Sequence, residues 1–396
     1  MKLFKNTGSN PFSIIIILIF CISLYFFDYY IFYSKYTNFD RFTDFGDLFL
    51  LLKGIDLYRA GIDPFLQNYN PPYNYPSSWS VFKYLPFINK ENTYILGIFL
   101  ISLSLLLFNE LIKKQYNFLL IYLSALLSPV SILLFERGNC DILILILALL
   151  AGLFFYKKII PLLVVIFVAF ALKLYPIVWF TVLIFFISKK NTMIYGILAF
   201  AAFTAFIFYN HQELILINKN TPFDLNNFTY GFRVILLRFR HLSPLKKIIE
   251  IFILGLMIPF SFFLYLKRYT ITNLEYNKYV FLFTVGVSTI FLTSLLTINW
   301  DYRLFFLILC FPLLISMKRY LLIALILLLF WYQTIRMYFF SIDFLVELKQ
   351  ILLLGIVLNL LYIMINIIFL ELKKSKLSNY VQKKFDILKT RIANFL

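Results

Sequence analysis

The sequence predicts an all-α polytopic membrane protein, and three observations carry that prediction. Hydrophobic residues make up 62% of the 396, charged residues only 14%, and the mean hydropathy is +0.86. Basic pairs also recur between the apolar runs: Lys113-Lys114, Lys157-Lys158, Lys189-Lys190, Lys267-Arg268, Lys318-Arg319 and Lys373-Lys374. An ordinary soluble domain is only about half apolar. The formal net charge of +18 would suggest nucleic acid in a soluble chain. Here the cations sit in short clusters at the ends of apolar runs, the positive-inside pattern, so the charge reads as topology and contact with anionic membrane lipids, with no nucleic-acid partner.

The elements follow in order. After Met1-Lys2-Leu3-Phe4-Lys5, the apolar run 14–33 is longer than a signal-peptide core and lacks a small-residue cleavage site, so it reads as a retained first helix. Crossing the hydrocarbon takes roughly 20 apolar residues. Spans are expected at 14–33, 94–112, 118–135, 142–156, 159–172, 175–187, 193–209, 248–266, 280–297, 304–317, 320–340 and 346–370. That makes about twelve, with both ends cytoplasmic, or about eleven if the two short segments around Lys173 form one long tilted helix. A hairpin at Lys173 keeps both flanking lysine pairs on one side and is preferred. Residues 1–370 then form one transmembrane domain, and 371–396 a basic amphipathic tail on the cytoplasmic surface.

With every basic pair inside, the remaining polar residues fall on the outer face. They are Asp44 and Asp47, the stretch Glu136-Arg137-Gly138-Asn139-Cys140-Asp141, Lys173, the loop from His211 to His241, Asn299-Trp300-Asp301-Tyr302-Arg303 and Asp343. A charge at helix-centre depth costs about 2.5–3.5 kcal/mol, so such residues line a cavity or an interface. The first outer loop, 34–91, is too long for a simple connection. Phe45, Leu48, Phe49, Leu51 and Leu52 recur in it at helical spacing, which predicts a helix lying in the membrane surface. Gly61 and a run of prolines follow, and the Tyr, Trp and Pro residues of 69–86 suit the headgroup zone. The second long outer loop, 210–247, holds Arg233, Arg238, Arg240, Lys246 and Lys247 and reads either as an anion-binding loop or as a surface helix against headgroups.

Other chemistries find little footing. Cys21, Cys140 and Cys310 lie far apart, without disulfide or zinc spacing. No Walker-type glycine loop is present. His211 and His241 read as surface residues, and Trp79, Trp300 and Tyr302 as interface anchors or platforms for a sugar face. No dedicated metal cage is visible and no cofactor is expected; a divalent ion between Asp44 and Asp47 is the one arrangement left open.

Three features together resemble glycosyltransferase family 87 of the GT-C superfamily. They are Asp44-Phe45 after the first helix; Gly61-Ile62-Asp63-Pro64-Phe65 leading to Tyr73-Asn74-Tyr75-Pro76; and Lys173-Leu174-Tyr175-Pro176. The resemblance covers roughly residues 44–176. Where members often carry Gly-Gln-x-Asn, this chain has Glu136-Arg137-Gly138-Asn139.

The resemblance implies a GT-C-like bundle. It also implies an inverting transfer of a hexose or pentose, mannosyltransferase-like, from a polyprenyl-phosphate-linked donor to a lipid or glycan acceptor hydroxyl. The active site would face the extracytoplasmic side, with a bacterial inner or plasma membrane as the expected location. A first-loop aspartate is the expected base: Asp44 first, by its match to Asp-Phe, and Asp47 one turn on. A leaving phosphate needs fixed cations, for which Arg137, Lys173 and Arg303 stand first and Arg233 behind them. Asn139, Asp141 and Tyr75 complete the expected substrate-binding set. The bland alternative for the charges is neutralisation between neighbours, Glu136 with Arg137 and Asp301 with Arg303. The competing functions are a transporter or flippase of lipid-linked saccharides, and a saccharide ligase or polymerase.

Overall fold

The computed structural model describes residues 45–67, 73–186, 192–220, 229–230, 276–296, 299–332 and 344–374. These are almost entirely helical. The one strand pairing among them is antiparallel and two residues long, β1 (Thr229–Tyr230) against β2 (Asn299–Trp300), with Thr229 opposite Trp300. Among the described residues, three helical runs are long and apolar enough to cross a membrane, or up to five if each of two bent helix pairs is one span. Shorter apolar helices, Ile159–Leu172, Tyr175–Phe186 and Tyr320–Phe330, stand beside them. The expected spans 14–33 and 248–266 lie outside the described residues.

Several expected spans appear with nearly the expected limits, at Thr93–Ile112, Ile159–Leu172, Thr192–Tyr209, Lys278–Leu296 and Phe344–Lys374. Two do not. The stretch expected at 118–135 is broken into Leu119–Leu126 and Pro129–Glu136, because Ser128 caps a new helix through the Ser131 amide and Pro129 starts it. A proline at a helix start forgoes only an amide that has no partner there anyway. The stretch expected at 304–317 is a tight 3-10 turn sequence, Asp301–Cys310, followed by a short helix at Phe311–Ser316.

At Lys173 the backbone turns extended (φ −157°, ψ 128°), and the following Tyr175–Phe186 segment packs back against Ile159–Leu172. Pro176 sits in the first turn of the second segment, where its missing amide costs no helix bond. The hairpin is therefore the observed arrangement.

Lys278–Leu296 is the central element. It packs against Tyr175–Phe186, Asp301–Cys310 and Phe344–Lys374, and Phe281, Leu282, Phe283 and Val285 on successive faces are fully buried. A helix apolar all round belongs in such a position. Gly46–Arg59 is helical as predicted, burying Leu48, Leu51, Leu52 and Ile55 on one face and exposing Phe49. That buried face packs on Ser77–Tyr84 and on the start of Thr93–Ile112.

The helices share a polarity. Thr93–Ile112 runs into Lys113-Lys114, Ile159–Leu172 begins after Lys157-Lys158, and Phe344–Lys374 ends on Lys373-Lys374. At the other end, Ile159–Leu172 leads to Lys173 and Thr93–Ile112 packs Gly97 against Phe45, and about 24 Å of helix separates Gly97 from Lys113.

Candidate functional site

The cluster is built at a break in the chain. Pro129–Glu136 and Asp141–Phe155 are bent by 107° across residues 137–140. The first half-helix ends with the Asn139 amide donating to the Leu134 carbonyl at 3.3 Å and the Gly138 amide to Phe135 at 3.0 Å, with Gly138 left-handed at φ 57°. That is the Schellman closure, which favours glycine at this residue. The Asn139 carboxamide oxygen then accepts from the Asp141 amide at 3.0 Å, serving the start of the second half-helix.

The Gly46–Arg59 helix meets this break end on. The Phe45 amide donates to the Glu136 carbonyl at 2.6 Å and the Asp47 amide to Arg137 at 3.0 Å, so orphan donors of one helix start satisfy orphan acceptors of another helix end. Phe45 is itself left-handed (φ 60°), and its ring fills the space beside Gly97 and Gly138. A Cβ on either glycine would lie within 2.8–2.9 Å of it.

The side chains converge on Asn139. Arg137 forks onto Asp47, Nε to Oδ2 at 3.0 Å and a terminal nitrogen to Oδ1 at 2.5 Å. Asn139 Nδ2 donates to Asp47 Oδ2 at 2.5 Å and to the Tyr302 hydroxyl at 3.1 Å, while its oxygen also accepts from Lys173 at 3.3 Å. Lys173 Nζ lies 2.8 Å from Asp141 Oδ1 and 3.0 Å from Cys140 Sγ. Arg303 Nε takes Asp141 Oδ2 at 3.0 Å, and the Tyr175 hydroxyl donates to Asp141 Oδ1 at 3.0 Å. Tyr75 donates to the Asp47 carbonyl at 3.2 Å, and Lys173 lies over its ring at 5.9 Å.

Among the described residues, the three cations Arg137, Lys173 and Arg303 thus pair with the two carboxylates Asp47 and Asp141. The Arg137, Lys173 and Arg303 side chains are 18%, 16% and 18% exposed and that of Asp47 12%, whereas Asp141 is wholly buried. Burial pulls the Lys173 ammonium down, but the Asp141 carboxylate more than reverses this, leaving it above the ordinary lysine value. Burial, then the Asp47 carboxylate, raise the Tyr75 phenol, which stays a neutral donor.

Of the predicted site residues, Asp47, Arg137, Asn139, Asp141, Lys173, Arg303 and Tyr75 come together here. Asp44 and Arg233 lie outside the described residues. The neighbour-to-neighbour neutralisation is not the arrangement found. Arg137 pairs with Asp47 and Arg303 with Asp141, while Asp301 is held by Lys349 at 2.7 and 2.8 Å, because helix ends far apart in sequence meet at the break.

The cluster and its surroundings also include Tyr175, Cys140 and Lys349, which sequence reasoning did not count among the site residues. Tyr175 did carry a signal, lying inside the Lys173-Leu174-Tyr175-Pro176 motif. Trp79 is neither platform nor surface anchor: it is buried, and its indole N–H donates to the Leu172 carbonyl at 3.0 Å while Ser78 donates to Ala171, closing the helix end that presents Lys173. Asp56 pairs with Arg59, and Asp63 accepts from the Phe65 amide at the turn before the next short helix. Among the described residues, no group of three or more His, Cys, Asp or Glu could hold a metal ion.

His211 is exposed, at the start of the helix His211–Asn220. That helix docks on the first loop, Glu213 accepting from the Ser77 amide at 2.8 Å and Asn220 donating to the Tyr73 carbonyl at 3.0 Å.

Comparison with known proteins finds no matching protein family, no similar curated protein and no similar solved structure.

Proposed function

We propose that the chain is an integral membrane glycosyltransferase of GT-C type that moves a hexose or pentose from a polyprenyl-phosphate-linked donor to the hydroxyl of a lipid or glycan acceptor. The observation that carries this reading is the partly exposed trio Arg137, Lys173 and Arg303 beside buried Asp141, cations of the kind a leaving phosphate needs. The shared helix polarity supports an extracytoplasmic site: the basic pairs mark one end of the helices and the cluster the other.

In the proposed reaction the acceptor oxygen attacks the anomeric carbon on the face opposite the phosphate. The carbon–oxygen bond to the phosphate breaks with its electron pair, the configuration inverts, and the acceptor proton passes to a carboxylate. Arginine meets phosphate oxygens in a fork and lysine as a point charge, so the triad stabilises the leaving anion as charge develops. Asp44 is the first candidate base. Asp47 is the second: Arg137 and Asn139 occupy three of its roughly four acceptor directions, leaving room on Oδ1 for one hydroxyl proton.

One observation favours the transporter alternative, since transporters also place broken helices at a polar site. Purified protein in detergent, given polyprenyl-phosphate sugars and a lipid acceptor, separates the two. Transfer that disappears in Asp44→Asn or Asp47→Asn supports the enzyme; no transfer, with saccharide-lipid movement in proteoliposomes, replaces it.

A further inference from the structure

Asn139 is buried at the centre of the break, and both ends of its carboxamide are fully engaged. Nδ2 donates to Asp47 Oδ2 at 2.5 Å and to the Tyr302 hydroxyl at 3.1 Å. The oxygen accepts from the Asp141 amide at 3.0 Å and from Lys173 Nζ at 3.3 Å, with Cys140 Sγ at 3.8 Å. A primary amide has two N–H donors and two acceptor lone pairs, so these contacts use all four. Nothing is left over for the substrate contact that the sequence suggests for this residue. Charge fixes which way the amide faces: turned over, it would set its oxygen against the Asp47 carboxylate and its NH2 against the Lys173 ammonium. One planar group therefore joins a candidate base to a cation of the candidate phosphate site.

The two ends of the amide do separate work. The oxygen end holds Lys173 and serves the start of the second half-helix. The nitrogen end loads one oxygen of Asp47: Oδ2 takes both this N–H and Arg137 Nε, while Oδ1 takes a terminal nitrogen of Arg137. We propose that Asn139 is a positioning residue: by loading Oδ2 it directs the acceptor proton to Oδ1 of Asp47, and through the same plane it holds that carboxylate in register with Lys173. The catalytic consequence rests on the glycosyltransferase reading with Asp47 as the base; the hydrogen-bond arrangement does not.

The test uses full-length protein in lipid nanodiscs and the variant Asn139→Asp. This change keeps an oxygen for Lys173 and the Asp141 amide but replaces the donor to Asp47 with a second carboxylate oxygen. Two carboxylates in such contact share one proton. Infrared spectroscopy of the variant at neutral pH is therefore expected to show a protonated carboxyl beyond any in the wild type. The swapped pair Asp47→Asn/Asn139→Asp, in which one donor again faces one carboxylate, is expected to lack it. No added protonated carboxyl in the single variant overturns the arrangement. Kinetics with a synthetic polyprenyl-phosphate sugar test the role. In Asn139→Asp, kcat at neutral pH is expected to fall about a hundredfold or more, within the range a positioned base contributes. Activity is expected to recover as pH rises, the acid limb of kcat/KM lying about one pH unit or more above that of the wild type. Donor KM is expected to change little, since the three cations remain. A loss of rate with the acid limb unmoved, as when Asp44 is the base, overturns the positioning role. Should Asn139→Asp not fold, Asn139→Ser, which still caps a helix start but has no amide N–H, is expected to lower kcat while donor KM rises less; an unchanged kcat overturns the proposal. Absence of transfer by the wild type removes the enzyme reading and the positioning role with it, while the infrared comparison still decides the arrangement.

Discussion

Asp141 shows at single-residue scale why the cluster holds together. Its carboxylate is wholly buried yet takes Lys173, Arg303 and the Tyr175 hydroxyl. Removing one partner of such a buried arrangement leaves uncompensated charge, which typically costs about 3–5 kcal/mol. Asp141→Ala is therefore expected to lower the thermal midpoint of the purified protein strongly, whereas Asp141→Asn, which keeps the shape, is expected to lower it less; equal midpoints would remove the counter-ion role. Lys173 makes a prediction about pH. Its folded pKa is raised, so its contribution is complete below the ordinary lysine value and is lost only as pH climbs through the higher folded value. The transfer rate is expected to show no alkaline limb from Lys173 at or below pH 10.5; a limb there that vanishes in Lys173→Arg would contradict the assignment.

At the scale of elements, the break at 137–140 does what a continuous helix could not. It brings a helix end, a helix start and a capping asparagine to one point, and places Asp47 of a third helix against them. Gly138 is the sensitive position, being left-handed with Phe45 and Leu48 within 2.9–3.0 Å of an added Cβ. Gly138→Ala is expected to destabilise the protein by about 1–3 kcal/mol in thermal unfolding and to reduce transfer; native stability and activity would mean the break relaxes freely. Trp79→Phe removes the indole donor from the Leu172 carbonyl and is expected to cost about 1–3 kcal/mol for the acceptor left unsatisfied, with transfer reduced through Lys173. Much of this site is legible in the amino-acid sequence, because in so apolar a chain each polar residue at a span end stands out, as Asp47, Arg137, Asn139, Asp141, Lys173 and Arg303 all do. Their pairing is not legible there. Glu136 beside Arg137 and Asp301 near Arg303 invite local ion pairs, whereas Arg137 pairs across 90 residues, Arg303 across 162 and Asp301 across 48, depending on where the helix ends meet. Lys349 is hidden for a related reason, sitting near the start of a long apolar helix where a lysine reads as an end marker. Ser128-Pro129 does signal a helix start, but the apolar composition on either side masks it.

For the whole molecule, the main consequence is the separation of charge along the helices. Cations in pairs collect at one end, while the carboxylates of the cluster lie at the other with their own cations, about 24 Å of helix away along Thr93–Ile112. Anionic lipid and the positive-inside bias both favour the paired cations on the cytoplasmic side. An active site at the opposite end would then face the compartment from which a glycan acceptor arrives. This orientation can be checked without any assumption about substrate. Leu66 is 79% exposed in the first loop, and Lys157 lies in the turn between Asp141–Phe155 and Ile159–Leu172. In a background with Cys21, Cys140 and Cys310 replaced by serine or alanine, a single cysteine at 66 is expected to react with a membrane-impermeant maleimide added to intact cells. A cysteine at 157 is expected to react only after the cells are opened. The reverse pattern would put the cluster in the cytoplasm, where a lipid-linked sugar facing outward could not reach it, and would exclude an extracytoplasmic transferase whatever the chemistry of the site.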